Sequence, residues 1–434
     1  MELNFFCNGV RVKNRSLVYQ APMAILVLLK NTAMNKSSHF TGQPIFSQLL
    51  KLLDRSEVDR IAAACGSDRY YKTFRTWDHL VGMLYAALSR CRTIRELSTG
   101  LLACEGKLRH LGLSQAPRRS TISDGNSNRD SSVFRKIYMS LYDRFGDLLS
   151  DSRSKTRLPK GLMLADSTTI GLFKEILKTC GRKRLDGRQK GGIKAHTVIP
   201  AENYVAKFIH FTSAATHDSC LLDELSLEKG DMICFDKAYI DYERFREWSE
   251  KGIYMVTRMK DNAVYETVCE NDIPDHCDQG IIKDETVTVG TKEGKSVKLR
   301  RVAYYDSKKH KVYVFISNQL ELEAEQIALI YKKRWEIEVF FRYLKQNFPL
   351  KYFLGDNQNA IEIQIWVANI AMLLMQVVRK GVRRKWALSN MVSMVRFHLM
   401  SYIDLVSFLN DPEKSWIAKN RARPDQMQLF DDSP

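Results

Sequence analysis

The chain has 434 residues, 44% of them hydrophobic and 27% charged, with 67 Lys and Arg against 50 Asp and Glu for a formal charge of +17. That length allows about two or three domains at roughly 150 residues each, and the composition excludes both a wholly disordered chain and a protein built from membrane spans. The surplus positive charge sets up a field that favours polyanions, nucleic acid first among them.

Residues 1–40 show no clear period and read as a disordered leader; Met1, Met23 and Met34 are alternative starts. Residues 41–151 read as helical, with apolar residues at three and four spacing: Phe46, Leu49, Leu50 and Leu53, then Trp77, Leu80, Val81, Leu84 and Leu88. Thr93 followed by Glu96 is a capping box that opens a helix running through Leu102. Arg118 and Arg119 precede the polar stretch Ser120 to Asp124, a pattern that starts a helix whose first turn suits phosphates or base edges. A plain capped surface helix is the alternative there.

After a basic linker at Arg153 to Arg157 the period becomes strand-like. Leu162 to Thr168 is a short apolar run carrying Asp166, and Lys194 to Ile199 and Tyr204 to Phe211 follow as strands around a turn at Pro200 to Asn203. Asp218 is the expected cap of a helix from Cys220 to Leu227. Met232 to Asp236 repeats the buried strand ending in an acid, and a helix (Tyr242 to Glu250) and a strand (Ile253 to Thr257) complete residues 158–257. Three strands, helix, strand, helix, strand is the order of an RNase H-like α/β core.

Residues 258–320 read as a β-rich insertion, with strands at Val287 to Val289, Val297 to Tyr304 and Val312 to Ile316. One long helix is expected from Leu322 to Asn347, within a core segment 321–350. Helices over 351–410 follow, and 411–434 form a flexible tail. The apolar stretch Ile361 to Val378 is interrupted by Glu362, Gln364, Asn369 and Gln376, which favours a buried helix over a membrane span. The nine cysteines form an odd set without a C-x-x-C pair, which argues against a disulfide framework or zinc ribbon and for a reducing compartment.

The chemistry concentrates in the long helix and two strand ends. At about 100° per residue, Arg334, Trp335, Glu338, Arg342 and Lys345 fall within roughly 60° of Tyr331. Ile337, Phe340, Phe341, Leu344 and Phe348 occupy an adjoining, core-facing stripe. Glu338 therefore stands beside the apolar seam while Glu336 points away. A Glu flanked by Arg and Lys is ordinarily a surface ion-pair face. Asp166 and Asp236 change that reading, because an acid ending a buried strand is costly without a cation. If the strands are neighbours, Asp166, Asp236 and Glu338 form an oxygen-only set suited to hard divalent ions and in-line phosphodiester attack. His196, His210 and His217 are too spread for a zinc site.

The spacing Tyr331, Arg334, Glu338, Lys345, preceded by Asp166 in Leu-Ala-Asp-Ser-Thr and Asp236 in Cys-Phe-Asp-Lys-Ala-Tyr, resembles the Y-R-E-K signature of bacterial insertion-sequence transposases of the DDE class, the family numbered four. The resemblance runs from about residue 40 to about residue 380. It implies an RNase H-like mixed sheet with a β-rich insertion, preceded by an all-helical end-binding domain and followed by C-terminal helices. It implies Asp166, Asp236 and Glu338 as catalytic metal ligands for two Mg²⁺ ions, with Mn²⁺ as substitute. Tyr331, Arg334 and Lys345 would hold phosphates beside the cleaved end, with Arg342 on the same stripe, and Trp335 would stack on a terminal base unless it packs in the core. In such relatives a tryptophan of the insertion receives a flipped base; Arg258 to Leu329 contains none, leaving Tyr304, Tyr305 or Tyr313 for that place and the hairpin route open.

The basic run from Lys178 to Lys194, with Arg182, Lys183, Arg184, Arg188 and Lys190, reads as a loop that tracks a DNA backbone. In the tail, Gln426, Leu429 and Phe430 resemble a short peptide that docks on the replication sliding clamp. The expected function is therefore a cytoplasmic, nucleoid-associated DNA transposase, with no membrane. It would work on double-stranded transposon ends and target DNA as a homodimer or larger complex. An inactive DNA-binding copy and a host nuclease of the same fold are the alternatives.

Overall fold

A computed structural model describes residues 42–414, apart from 150–157, 160, 172–191, 204, 215, 274–279, 292–293 and 349. The expected leader, the Arg153 to Arg157 linker, the basic residues Arg182, Lys183, Arg184, Arg188 and Lys190, and the tail residues Gln426, Leu429 and Phe430 lie outside the described residues.

Among the described residues six α-helices come first: α1 (Ile45–Leu50), α2 (Arg55–Ala64), α3 (Thr76–Ser89), α4 (Ile94–Leu102), α5 (Arg119–Asn128) and α6 (Ser132–Leu149). Local chemistry sets their ends. Asp54 caps α2 by accepting from Ser56 N and Glu57 N, and Thr93 accepts from Glu96 N to start α4. The return bond of the expected box goes instead to Arg92, whose N–H donates to Glu96 at 2.6 Å.

Three further α-helices come last among the described residues: α11 (Gln358–Gly381), α12 (Leu388–Phe397) and α13 (Leu405–Asn410). They share one core with the first six. Ile45 N and Phe46 N donate to Ser401 O and Leu399 O at 3.0 and 2.8 Å, and Gln48 bonds both Ile403 O and Leu405 N. The segments 41–151 and 351–410, distinct in the sequence reading, thus form one helical body. Its axis is α11, long and apolar enough for a membrane span by composition, yet with 94% of its apolar window buried inside the protein. Trp366 on α11 meets Tyr138 of α6 and Phe211 of the sheet at ring distances of 5.6 and 5.7 Å, which seats the sheet on the helical body.

The sheet contains β1 (Leu162–Gly171), β2 (Gly192–Pro200), β3 (Phe208–Ser213), β4 (Met232–Cys234), β5 (Tyr254–Arg258), β6 (Glu266–Glu270), β7 (Ile281–Gly290), β8 (Ser296–Asp306) and β9 (Lys311–Ser317). Its order is β3-β2-β1-β4-β5-β9-β8-β7-β6. β2 and β3 continue antiparallel from β1, whereas β4 and β5 run parallel to it. Residues 258–320 do not stand apart, because β9 pairs antiparallel with β5 and prolongs the same sheet. The edge strand β6 escaped the sequence reading: Glu-Thr-Val-Cys-Glu is exposed throughout and has no apolar face to betray it. β3 starts later than expected, since the Ala206 carbonyl accepts from Tyr138 Oη rather than joining the ladder.

Short helix α7 (Leu221–Glu224) and α8 (Tyr242–Lys251) cover one face of the sheet; α9 (Ala324–Lys333) and α10 (Trp335–Asn347) cover the other. The expected helix from Cys220 to Leu227 contracts to α7. Leu225 is already extended, and His217, not Asp218, caps the turn before it by accepting from Ser219 N. The expected helix from Leu322 to Asn347 divides at Arg334 into α9 and α10. There Arg334 N bonds Tyr331 O and Ile337 N bonds Arg334 O, each at 3.1 Å, a three-residue spacing that tightens the turn.

Candidate active site

Asp166 and Asp236 meet because of strand register. β1 and β4 are parallel neighbours with Leu164 opposite Cys234, so the residue two further along each chain stands at the same level and on the same face. Asp166 lies in β1, while β4 ends at Cys234 and Asp236 opens a tight turn at Lys237–Tyr239. The apolar residues leading to both acids, Leu164 and Cys234, are fully buried.

The paired helices α9 and α10 bring the third acid over this level. Ile327, Ile330, Ile337, Phe340, Phe341 and Leu344 are buried, so the seam expected from periodicity is the face that docks. Tyr331 Oη donates to Asp236 Oδ1 at 3.0 Å. Arg334 Nη1 donates to Asp166 Oδ2 at 2.9 Å and its Nη2 to Glu338 Oε1 at 2.8 Å. The Arg334 side chain is 12% exposed, and it bridges the side chains of Asp166 and Glu338, 19% and 32% exposed. Phe315 of β9 supports the Tyr331 ring at 4.8 Å.

The electrostatics follow from this enclosure. Burial pushes the Asp166 carboxyl up to about 6, opposed by Arg334 and the Ser167 N–H, with Glu338 and Asp236 adding to the rise. Burial also works against the Arg334 charge, but Asp166 and the other acids outweigh it and hold its pKa above the ordinary arginine value. The Tyr331 hydroxyl is pushed well up by burial and by Asp236.

Lys345, near the end of α10, donates to Thr168 Oγ1 at 2.6 Å and Thr169 O at 3.2 Å, tying the helix to the far half of β1. Burial lowers its pKa. Trp335 is 56% exposed, so its ring is not part of the core, and Arg342 is exposed nearby on α10. Arg118 and Arg119 are exposed at the start of α5, which forms where the sequence suggested. Tyr304 and Tyr313 are half-buried around Phe315, while Tyr305 is on the opposite side of β8 and exposed.

The three carboxylates are all oxygen donors, a set that fits a hard divalent cation. As placed they do not form a cluster able to grip one ion, and no such cluster of His, Cys, Asp or Glu occurs among the described residues. Arg334 holds Asp166 to Glu338, and Tyr331 holds Asp236.

A second network lies behind Asp166 and was missed in the sequence. Ser167 N donates to Asp166 Oδ1 at 2.8 Å, and Ser167 Oγ donates to Asp218 Oδ1 at 2.8 Å. Lys194 completes it at 3.1 Å from Asp218. His196, buried beside them, is held down to about 4 by burial and shares a 2.8 Å bond with Thr212 Oγ1. The only available signal was Asp218 itself, which reads equally well as a helix cap.

Comparison with known proteins identifies the family. A family model described as the transposase DDE domain matches residues 157–374. A second, described as a domain of unknown function (DUF4372), matches residues 41–114. A protein of Sinorhizobium fredii named as a transposase is 29% identical over 61% of this chain and 72% of its own length. One of Geobacillus stearothermophilus, named as the transposase of insertion sequence element IS5377, is 26% identical over 80% and 88%. One of Synechocystis, named for element IS4SA, is 26% identical over 60% and 71%. With half of its residues matched by the first model, the chain belongs to the DDE transposases of bacterial insertion sequences.

Proposed function

We propose that this transposase binds the terminal inverted repeats of its element, cuts the DNA there and joins the freed ends to a target, using Asp166, Asp236 and Glu338. The observation that carries the assignment is the joining of the three acids by one helix pair: Tyr331 on Asp236, and Arg334 on both Asp166 and Glu338. The strand order β3-β2-β1-β4-β5, with Asp166 in the middle of β1 and Asp236 just past the end of the neighbouring β4, supports an RNase H-like core.

Water attacks a phosphorus at the element's end and the 3′ oxygen of the broken bond leaves; that 3′ hydroxyl then attacks a target phosphorus and expels a second 3′ oxygen. Two Mg²⁺ ions, or Mn²⁺ in their place, would be held by the three carboxylates and supply activation of the attacking oxygen and stabilisation of the leaving one. The protein's part is placement. Arg334 carries two carboxylate bonds in the free protein and has the fork geometry to turn to phosphate oxygens. Tyr331 and Lys345 flank it along the same face, Arg342 extends the cationic stripe, and exposed Trp335 offers a stacking surface for a terminal base. Arg118 and Arg119 face the end-binding duplex, and the basic run around Arg182, Lys183, Arg184, Arg188 and Lys190 follows the backbone. Holding two ends at once requires at least a dimer, acting in the bacterial cytoplasm.

The test is a supercoiled donor carrying paired element ends. Wild-type protein should release the element alone, whereas broad nicking would mark a nuclease. Asp166→Asn should abolish cutting and leave end binding nearly intact. Binding lost in proportion to cutting would overturn the metal-ligand role.

A further inference from the structure

The segment of unknown function, residues 41–114, contains a loop that stands outside the proposed catalytic machinery. Residues Asp68 to Arg75 connect α2 to α3, and Arg69, Tyr70, Lys72 and Arg75 on it are exposed. Tyr70 is 85% exposed, with the Arg69 guanidinium 5.6 Å from its ring centre. Such a loop is usually a mobile solvated turn. This one is fastened from beneath by Arg129, at the end of α5, whose side chain is fully buried.

Arg129 Nη2 donates to Asp68 Oδ1 at 3.2 Å and to Phe74 O at 2.9 Å, and its guanidinium lies 4.2 Å from the Tyr71 ring centre. Asp68 also accepts from Thr76 N and Thr76 Oγ1 at 2.7 and 2.8 Å. Gly125 on α5 admits Phe74 so closely that an added Cβ would meet its ring at 2.9 Å. The loop and α5 are therefore one rigid piece. Burying an arginine is costly, and here it spends that cost on fixing a basic, aromatic-bearing loop beside the basic first turn of α5.

Between the two runs a cavity of about 270 Å³, lined by Thr73, Phe74 and Asp78 on one side and Pro117, Arg118 and Thr121 on the other, is far too narrow for a duplex. A duplex would lie across it with phosphates on both lips. Arg118 lines the cavity itself; Arg119 follows it on the helix, and Arg69, Lys72 and Arg75 belong to the loop that supplies Thr73 and Phe74, all of them exposed and none in an ion pair among the described residues. The nearby acids are engaged or set apart: Asp68 by Arg129, Asp78 by the Arg75 N–H at 2.8 Å, and Asp124 one turn further along α5.

We propose that Arg69, Lys72 and Arg75 form a second, preorganised DNA-backbone contact that works with the start of α5, with Tyr70 packing against the sugar–base edge. This rests on the reading of α5 as a DNA-facing helix. It gives the segment of unknown function the role of a duplex clamp.

The experiment measures the dissociation constant of the full chain for a short mixed-sequence duplex over a range of salt. Each phosphate contact contributes a slope of about 0.9 in log affinity against log salt. The triple variant Arg69→Ala, Lys72→Ala, Arg75→Ala should lose about 2 to 3 of that slope, and Arg118→Ala with Arg119→Ala about 2. Thermal midpoints should stay at the wild-type value, since all five side chains are exposed. Tyr70→Ala should weaken binding several-fold at fixed salt with the slope unchanged. A triple variant with the wild-type slope overturns the loop proposal; if the α5 variant has meanwhile lost its share, the reading of α5 stands. Wild-type protein with no affinity for duplex, or an unchanged slope in both variants, overturns both.

Discussion

Arg90 offers a sharp test of how the helical body governs the active site. It follows the last turn of α3 in a left-handed conformation, φ 59° and ψ 42°, which costs a residue other than glycine about 1 kcal/mol. Its side chain explains why arginine is kept there: Nη2 donates to Gln346 O at 2.8 Å and Nε to Asn347 O at 3.3 Å. These are the final carbonyls of α10, where a cation satisfies orphan acceptors and complements the helix dipole. Lys345, bonded to Thr168, immediately precedes them. For a partly exposed charged pair of bonds the loss on Arg90→Ala is about 1 to 2 kcal/mol. Arg90→Gly loses the same bonds but recovers about 1 kcal/mol of backbone strain. In urea unfolding, the glycine variant should therefore lie close to wild type and about 1 kcal/mol above the alanine variant. Cleavage of a donor plasmid at saturating protein should nevertheless fall in both, by on the order of tenfold, because a loosened α10 no longer holds Lys345 and Glu338 in register. A glycine variant that cuts at the wild-type rate, or one that loses as much stability as the alanine variant, would refute the reasoning.

Other consequences are as direct. Lys345→Ala should reduce the salt slope of binding to a duplex end by about 1, as a phosphate-bound lysine requires; an unchanged slope in titrations removes it from the DNA face. Arg334→Gln leaves Asp166 and Glu338 facing each other without their cation, so stability should drop by about 3 kcal/mol. Added Mn²⁺ should then raise the thermal midpoint more in the variant than in wild type; equal shifts would contradict the carboxylate pairing. His79, fully buried and bonded to Asn126, is held down to about 3 by burial, with Arg129 adding to the effect, from an ordinary 6.5. Its unfolded form binds the proton first, so the stability it contributes above pH 6.5 is lost as the pH falls towards 3. His79→Gln should flatten the decline in unfolding free energy over that window, and a profile as steep as wild type would exclude His79 as its source.

Much of the site was readable because its residues are defined by local pattern. Asp166 and Asp236 each follow a buried apolar run, and Glu338 sits at helical spacing from Tyr331, Arg334 and Lys345 beside the apolar stripe of Ile337, Phe340 and Leu344. Periodicity of this kind says which side chains turn inward. It does not say what they meet. The bond from Phe46 N to Leu399 O joins distant segments that no local pattern relates, so two helical segments looked separate. The break at Arg334 was equally hidden, because every residue from Leu322 to Asn347 suits a continuous helix; the guanidinium's distant partner, Asp166, appears only once β1 is in place.

The same limit explains Asp218. As a local feature it precedes a helix and reads as a cap, yet its carboxylate is drawn to Ser167 and Lys194 across a strand pairing in which Ser167 stands opposite His196. The consequence is mechanical. Side chains alternate across a strand, so Asp166 and Ser167 leave β1 on opposite faces, and β1 is gripped on both: by Arg334 and Lys345 above, through Asp166 and Thr168, and by Asp218 below, through Ser167. On the proposed function, Asp166 must hold position while Arg334 and Lys345 turn from protein partners to DNA, and that needs a fixed backbone. The polar network beneath the sheet supplies that fixity from segments the chemistry never touches.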